Sequence, residues 1–77
     1  MLLLSDVRIN ENVRVVGFIR GCDQGFRRQV MSMGLLPNSE LEIVRVAPLN
    51  DPVEIRLRDY RLILRRADAQ YIEVERL

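Results

Sequence analysis

Residues 29–69 read QVMSMGLLPNSELEIVRVAPLNDPVEIRLRDYRLILRRADA, and this stretch decides the fold. Its pattern predicts the end of a helix, a glycine that stops it, a proline turn and then a strand. A loop with a proline at each end follows, then a tight hairpin and a single helical turn. No paired nucleophile and base, metal-ligand cluster or phosphate loop interrupts the pattern. The stretch therefore favours a small β scaffold that binds a partner over an enzyme.

A short helix is predicted over about residues 24–33. Phe26, Val30 and Met33 are spaced i, i+4, i+7, which places them on one helical face. Gly34 comes directly after them, where a residue in the left-handed conformation commonly ends a helix. We therefore expect this helix to pack its apolar face on a sheet and to stop sharply.

Short strands with turn signals between them make up most of the remaining chain. Strand-like patterns cover residues 13–19, 40–47, 53–57, 61–64 and 72–75. Alternation fails at residues 15–17 and again at residues 43–46, which indicates bulges or strands covered on both faces. Residues 59–60 are predicted to form a two-residue hairpin turn, and one helical turn is predicted near residues 66–70. This organisation is typical of a small barrel or curled sheet.

The chain has 77 residues, which predicts a single domain over residues 1–77. Its net charge of +1 argues against an electrostatic grip on nucleic acid. Aromatic residues make up only 5% of the chain, so branched aliphatic side chains are expected to fill the core. No apolar run approaches the ~20 residues that span a bilayer, and no cleavable signal is evident. We expect a cytoplasmic protein without direct membrane insertion.

The supply of catalytic and metal-binding side chains is poor. The chain has no His, so Cys22 has no evident base to accept its proton. The carboxylates are scattered along the chain and fall largely on the polar faces of alternating strands. This distribution argues against a dedicated metal site. The four glycines do not form a nucleotide-binding loop. We predict no enzyme, no catalytic residue, no metal site and no cofactor.

Arginines cluster on the predicted hairpin: Arg56, Arg58, Arg61 and Arg65. They are interleaved with Glu54 and Asp59, and exposed aromatic residues that could stack on bases are few. A solvated strand face with cross-strand ion pairs is the favoured interpretation, and no nucleic acid is expected as a partner.

Protein binding remains as the predicted activity. Met31 lies off the core face of the helix beside two arginines, and two leucines follow the glycine stop. Met and Arg near an exposed Leu are favoured in protein interfaces. Leu35 is expected in the core, whereas Leu36 is open to either role. The candidate partner-binding residues are Arg27, Arg28, Met31, Leu36, Leu49 and Asn50.

The sequence of this chain resembles the bacterial ferrous iron transport protein A family, FeoA. The segments that carry the resemblance are FRRQVMSMGLLPNSELEIVRVAPLNDPVEIRLRDYRLILRRADA and the ending YIEVE. The pair Met33-Gly34, Pro37, the strand EIVRVAP, the pair Asp51-Pro52 and the pair Leu64-Arg65 follow the order and spacing of that family. Each piece alone is weak, but the ordered set is specific and covers essentially the whole chain.

The resemblance implies an SH3-like small β-barrel with a helical insertion. It also implies a cytosolic accessory protein that contacts the membrane ferrous iron transporter FeoB. The alternative is an SH3-like regulatory domain associated with an iron-responsive repressor or with nucleic acid, because similar domains occur in such repressors. An exposed strand edge would also allow a homo-oligomer.

Four residues stand where members of this family often have glycine: Asn12, Asn38, Asn50 and Asp59. All four fall in predicted turns, and Asn and Asp are the non-glycine residues that best tolerate a positive φ. We therefore expect these turns to be kept.

Overall fold

The computed structural model describes residues 1–49 and 51–77 in full, and of Asn50 only its place in a short turn. Six strands form one antiparallel sheet in the order β1-β6-β2-β3-β4-β5. They are β1 (Leu2–Leu3), β2 (Asn12–Phe18), β3 (Glu40–Val46), β4 (Val53–Arg56), β5 (Arg61–Leu64) and β6 (Ile72–Arg76). Among the described residues β1 and β5 are not paired with each other. The fold is thus barrel-like but the sheet stays open.

The longer helix, α1 (Gln24–Ser32), connects β2 to β3 and confirms the predicted helix. It begins at Asp23, whose carboxylate accepts the Phe26 N–H at 3.0 Å and so satisfies one free donor of the first turn. A second helix, α2 (Arg66–Ala69), confirms the predicted helical turn. Short 3-10 turns occupy Leu4–Asp6 and Pro48–Asn50.

The end of α1 follows from its glycine. Gly34 has φ +100°, which is the left-handed region that the sequence predicts for it. The N–H of Leu35 donates to the Val30 carbonyl at 3.1 Å, and the N–H of Gly34 donates to the Met31 carbonyl at 3.0 Å. These two bonds close the helix, and they turn the chain so that Leu35 enters the core.

The core is built from aliphatic side chains, as the low aromatic content predicts. It contains Leu4, Val7, Val13, Val15, Val30, Leu35, Leu41, Ile43, Val53, Ile55, Leu57, Leu64, Ala69, Ile72 and Val74. Both phenylalanines are only partly buried and pack against the margin of this cluster. Every strand from β2 to β6 contributes residues to it, so the sheet wraps one shared core.

Two irregularities in the sheet confirm the expected bulges. The pairing of β2 with β6 shifts register between Val15 and Gly17, and the pairing of β3 with β4 shifts between Ile43 and Arg45. Each shift lets a strand with two adjacent apolar residues keep its core face buried.

The predicted hairpin turn at residues 59–60 is wrong by one position. Arg56 pairs with Arg61, and the Leu57 N–H donates to the Tyr60 carbonyl at 2.9 Å, so the turn residues are Arg58 and Asp59. Either register keeps Leu57 on the core face, but the observed one lets the Tyr60 hydroxyl bond the Met33 carbonyl. Tyr60 is consequently released from the turn.

The four glycine replacements behave differently from one another. Asn38 has φ +75°, as expected. Asn12 instead begins β2, and the positive φ of that turn belongs to Asn10, at +72°. Asp59 lies in its predicted turn without a positive φ. The prediction for Asn50 concerns a residue outside those that the structure describes in full.

Candidate functional site

Four of the candidate partner-binding residues lie on α1 and at its end, and we call them the helix-exit surface: Arg27, Arg28, Met31 and Leu36. Both arginines are exposed and Met31 is half-buried. Leu36 is 46% exposed, whereas its neighbour Leu35 is fully buried. The expectation for Leu35 is confirmed, and the exposure of Leu36 leaves an apolar side chain available to a partner.

The position of Leu36 is fixed by the turn that follows it. Its N–H donates to the Ser39 hydroxyl oxygen at 3.1 Å, and that hydroxyl donates to the Gly34 carbonyl at 3.0 Å. The Ser39 N–H in turn donates to the Leu36 carbonyl at 2.9 Å. Because these bonds hold the backbone, Leu36 is a preorganised contact rather than a side chain on a loose loop.

The hairpin between β4 and β5 also fastens this surface. The Tyr60 hydroxyl donates to the Met33 carbonyl oxygen, one of the groups that the end of α1 leaves free. A Cβ at Gly34 would overlap the same hydroxyl. Gly34 is therefore required twice, for its backbone conformation and for the approach of Tyr60.

The two arginines of α1 differ in their surroundings. The Arg27 guanidinium lies over the Phe18 ring at 5.3 Å from the centroid, a cation–π arrangement. Arg28 has no ion-pair partner among the fully described side chains. Arg28 is thus the cation of this surface that is free to meet a carboxylate of a partner.

A fifth candidate, Leu49, lies elsewhere. It is 96% exposed and has φ +68° within the turn Pro48–Asn50. The seven residues of β3 separate this turn from the end of α1, about 20 Å at the usual rise of a strand. The structure therefore does not unite the candidates in one patch. The sixth, Asn50, lies outside the side chains that the structure describes.

An open cleft of about 630 Å³ adjoins the end of α1. Its lining includes Gly34, Asn38, Glu40, Glu42, Arg56 and Tyr60. These groups are mostly polar and partly paired with one another, so the cleft offers hydrogen bonds and charges rather than an apolar slot.

The hairpin arginines are engaged largely as the sequence predicts. Arg56 pairs with Glu42 on β3, and Arg61 pairs with Glu54 on β4 at 3.1 Å. Arg65 reaches Asp68 at 3.4 Å within its own segment. The expected cross-strand ion pairs are thus confirmed for two of these residues, and the hairpin is not a uniformly basic face.

Ile63 is an exposed apolar side chain that was not predicted as a candidate. Ile63 on β5 is 67% exposed, although Leu62 and Leu64 beside it face the core. The signal was available, since Ile63 alternates with two core leucines and must point to the opposite face of the sheet.

The groups available for catalysis are sparse. Burial raises the pKa of the Cys22 thiol, which disfavours the reactive thiolate. Among the residues described in full, His, Cys, Asp and Glu nowhere gather in a group of three or more suited to a metal ion. In the same part of the chain, no helix has the length and apolar character needed to cross a membrane.

Comparison with known proteins relates this geometry to a family. A family model described as FeoA domain matches residues 2–76. A fusion protein of Porphyromonas gingivalis that joins Fe(2+) transport protein A to the Fe(2+) transporter FeoB is 46% identical over 50 residues. That match covers 65% of this chain but only 6% of the fusion protein.

Two solved structures share the fold. The FeoA-like protein of Clostridium acetobutylicum is 38% identical, with a TM-score of 0.87 over 99% of this chain and 86% of that one. Stenotrophomonas maltophilia FeoA, described as an SH3 domain protein, has a TM-score of 0.83 over 97% of this chain and 91% of its own, at 18% identity. The second likeness concerns the fold alone and confirms the predicted SH3-like architecture. With the family match over residues 2–76, the chain belongs to the FeoA domain family, which is associated with ferrous iron transport and is not a known enzyme family.

Proposed function

We propose that this chain is a cytosolic accessory protein of ferrous iron uptake that binds the cytosolic part of a FeoB-type membrane transporter. The observation that carries the proposal is the Porphyromonas gingivalis relative, in which a FeoA part and a FeoB part share one polypeptide. Fusion keeps two parts at a high effective concentration, which is useful when they act in contact.

The helix-exit surface supports a role in protein contact. The backbone of its exposed Leu36 is held by hydrogen bonds, and Arg28 is exposed on α1. Arginine is enriched among the residues that carry most of the binding energy of an interface, and a side chain on a fixed backbone loses less entropy on binding. We place the first transporter contact on this surface.

Leu49 supports a second contact. A leucine in the left-handed region carries a conformational cost of about 1 kcal/mol or more, and here its side chain is 96% exposed. The apolar side chain gains no burial in the free protein to offset this cost. An exposed apolar residue at a strained position is accounted for when a partner covers it.

Binding of this kind would act by selection between transporter conformations. An adaptor that contacts one conformation more tightly than another shifts their populations by the difference in affinity. No nucleotide or iron chemistry is required of the chain itself. The alternative role beside a repressor or nucleic acid gains no specific support from the hairpin arginines, because Arg56 and Arg61 are already paired.

The test is a titration of the transporter's purified cytosolic region with this chain and with two variants, Leu36→Asp and Leu49→Asp. Each variant should weaken binding at least about tenfold, since a charge replaces an apolar contact. Ile9→Asp is the matched control, because Ile9 is 48% exposed and lies outside both contacts. No binding by the unmodified chain at tens of micromolar, together with iron uptake unaffected by its deletion, would refute the proposal.

A further inference from the structure

The β5 strand presents an open edge. Within the described part of the chain β5 is paired with β4 alone. Opposed residues in an antiparallel pair alternate between exchanging hydrogen bonds and not doing so. The Leu57 N–H bonds the Tyr60 carbonyl, so the pairs Ile55–Leu62 and Val53–Leu64 are also bonded.

It follows that Arg61 and Ile63 direct their backbone groups away from β4. Their two N–H groups and two carbonyls point off the sheet, where an additional strand would bond them. Ile63 also presents its side chain on the outer face, beside a hollow of about 140 Å³. Arg45, Ala47, Pro52 and Glu54 line that hollow with it.

The outer face of the sheet follows a charge order across its strands. Glu75 on β6 pairs with Arg14 on β2 at 2.9 Å, and Arg14 also reaches Glu40 on β3 at 3.9 Å. A second row continues toward the edge, in which Glu42 on β3 pairs with Arg56 on β4.

The last ion pair before the edge joins Glu54 on β4 to Arg61 on β5 at 3.1 Å. Arg61 also lies directly opposite Arg56, so two arginines stand side by side where β4 meets β5. At β5, the last strand, the outward-facing side chains are Arg61, Ile63 and, just after the strand, Arg65, so the edge is basic. The complement of this edge is an acidic strand.

A second copy of the chain does not provide that complement. Antiparallel pairing of β5 with itself, centred on Ile63, would place Arg61 opposite Arg65 of the other copy. Like charges directly opposite each other destabilise a sheet. The edge therefore disfavours self-pairing.

We propose that the β5 edge binds an extended acidic segment of another protein as a seventh strand. Such a strand carries carboxylates beside Arg61 and Arg65 and one apolar residue between them, beside Ile63. Arg61 already bonds Glu54 and Arg65 already bonds Asp68, but each guanidinium has five N–H donors and keeps some for a second carboxylate. Backbone bonds to Arg61 and Ile63 supply the affinity, and the two carboxylates supply the selectivity. This site is separate from the helix-exit surface and from Leu49, so it stands or fails independently of the proposed transporter contact.

The experiment titrates the isotope-labelled full chain with the peptide acetyl-Thr-Glu-Thr-Val-Thr-Glu-Thr-amide. The expected result is a set of backbone amide shifts confined to residues 61–65, with slower hydrogen exchange at Arg61 and Ile63. The matched peptide with Lys in place of both Glu residues should bind at least about tenfold more weakly, since both cross-strand charge contacts become repulsive.

Two variants sharpen the outcome. Ile63→Pro removes an N–H that the sheet does not use, so the fold remains while the binding of the acidic peptide is lost. Arg65→Glu should reduce or reverse the ratio of affinities by which the chain prefers the acidic peptide to the lysine peptide. The proposal is overturned by absent shifts at about 1 mM peptide, by shifts at the cleft beside Asn38 instead, by unchanged binding in Ile63→Pro, or by dimerisation through β5 in solution.

Discussion

The Tyr60 hydroxyl donates a hydrogen bond to the carbonyl oxygen of Met33, which ties the β4–β5 hairpin to the end of α1. The two residues are far apart in sequence, and the bond crosses directly over Gly34. The surface proposed to meet the transporter is therefore braced from both sides, by the helix stop and by the hairpin.

Gly34→Ala should destabilise the fold by about 2 kcal/mol, because alanine at φ +100° is strained and its Cβ meets the Tyr60 hydroxyl. Urea unfolding would measure the loss. Tyr60→Phe alone should cost about 1 kcal/mol, the usual worth of one hydrogen bond. The double variant should cost less than the sum, since one overlap is removed. Strict additivity would show that the two residues are not coupled.

Asp23→Ala should cost about 1 kcal/mol of folding free energy, because α1 loses the carboxylate that accepts the Phe26 N–H. The check is thermal or chemical unfolding beside Gln24→Ala, an exposed change one residue away that leaves this bond intact. Equal stability of the two variants would contradict the role of Asp23 in starting the helix.

Leu49→Gly should leave stability unchanged or slightly raised while it weakens binding to the transporter. Glycine accepts φ +68° without strain, and the exposed side chain contributes no core packing. Unfolding and binding are measured on the same preparation. A clear loss of stability would show that Leu49 supports the fold, and unchanged binding would remove it from the contact.

Glu11 should titrate below the usual range of a glutamate. The Arg76 guanidinium donates to its carboxylate at 2.7 Å, and this bond, with a further one from the Arg8 N–H, lowers the pKa of Glu11. Because the folded pKa lies below the unfolded one, the stabilisation is present above the unfolded pKa and is lost as the pH falls through the folded pKa.

Side-chain NMR titration would measure this pKa in the chain and in Arg76→Ala, where it should rise toward the ordinary value. Arg28→Ala serves as the control and should leave the pKa of Glu11 where it was. A pKa that does not respond to Arg76→Ala would show that the ion pair is absent in solution.

Much of this architecture could be predicted from local signals. The spacing of Phe26, Val30 and Met33 and the glycine after them are local, and the structure follows them. Broken alternation in β2 and β3 likewise marked both bulges correctly. These features depend on the chain's own backbone and on one buried face, which a sequence reveals directly.

The features that could not be predicted depend on contacts between distant segments. The hairpin turn lies one residue earlier than predicted, which leaves Tyr60 outside the turn, where its hydroxyl bonds the distant Met33 carbonyl. In the candidate site, the sequence distinguished Leu35 from Leu36 only in part. The separation of Leu49 from α1 could have been predicted, because the strand expected over residues 40–47 lies between them.

The place of β6 in the sheet has a consequence for how the protein is made. Residues 72–76 come late in the chain, yet they lie between β1 and β2. On the ribosome, the run from β2 to β5 can pair in order as it emerges, but its first strand keeps an unfilled flank until β6 arrives. Until β6 is added, Val13 and Val15 lack the neighbouring strand with which they pair on that side. The pairing of β2 with β6 joins residues that are far apart in sequence, and long-range pairing of this kind slows folding.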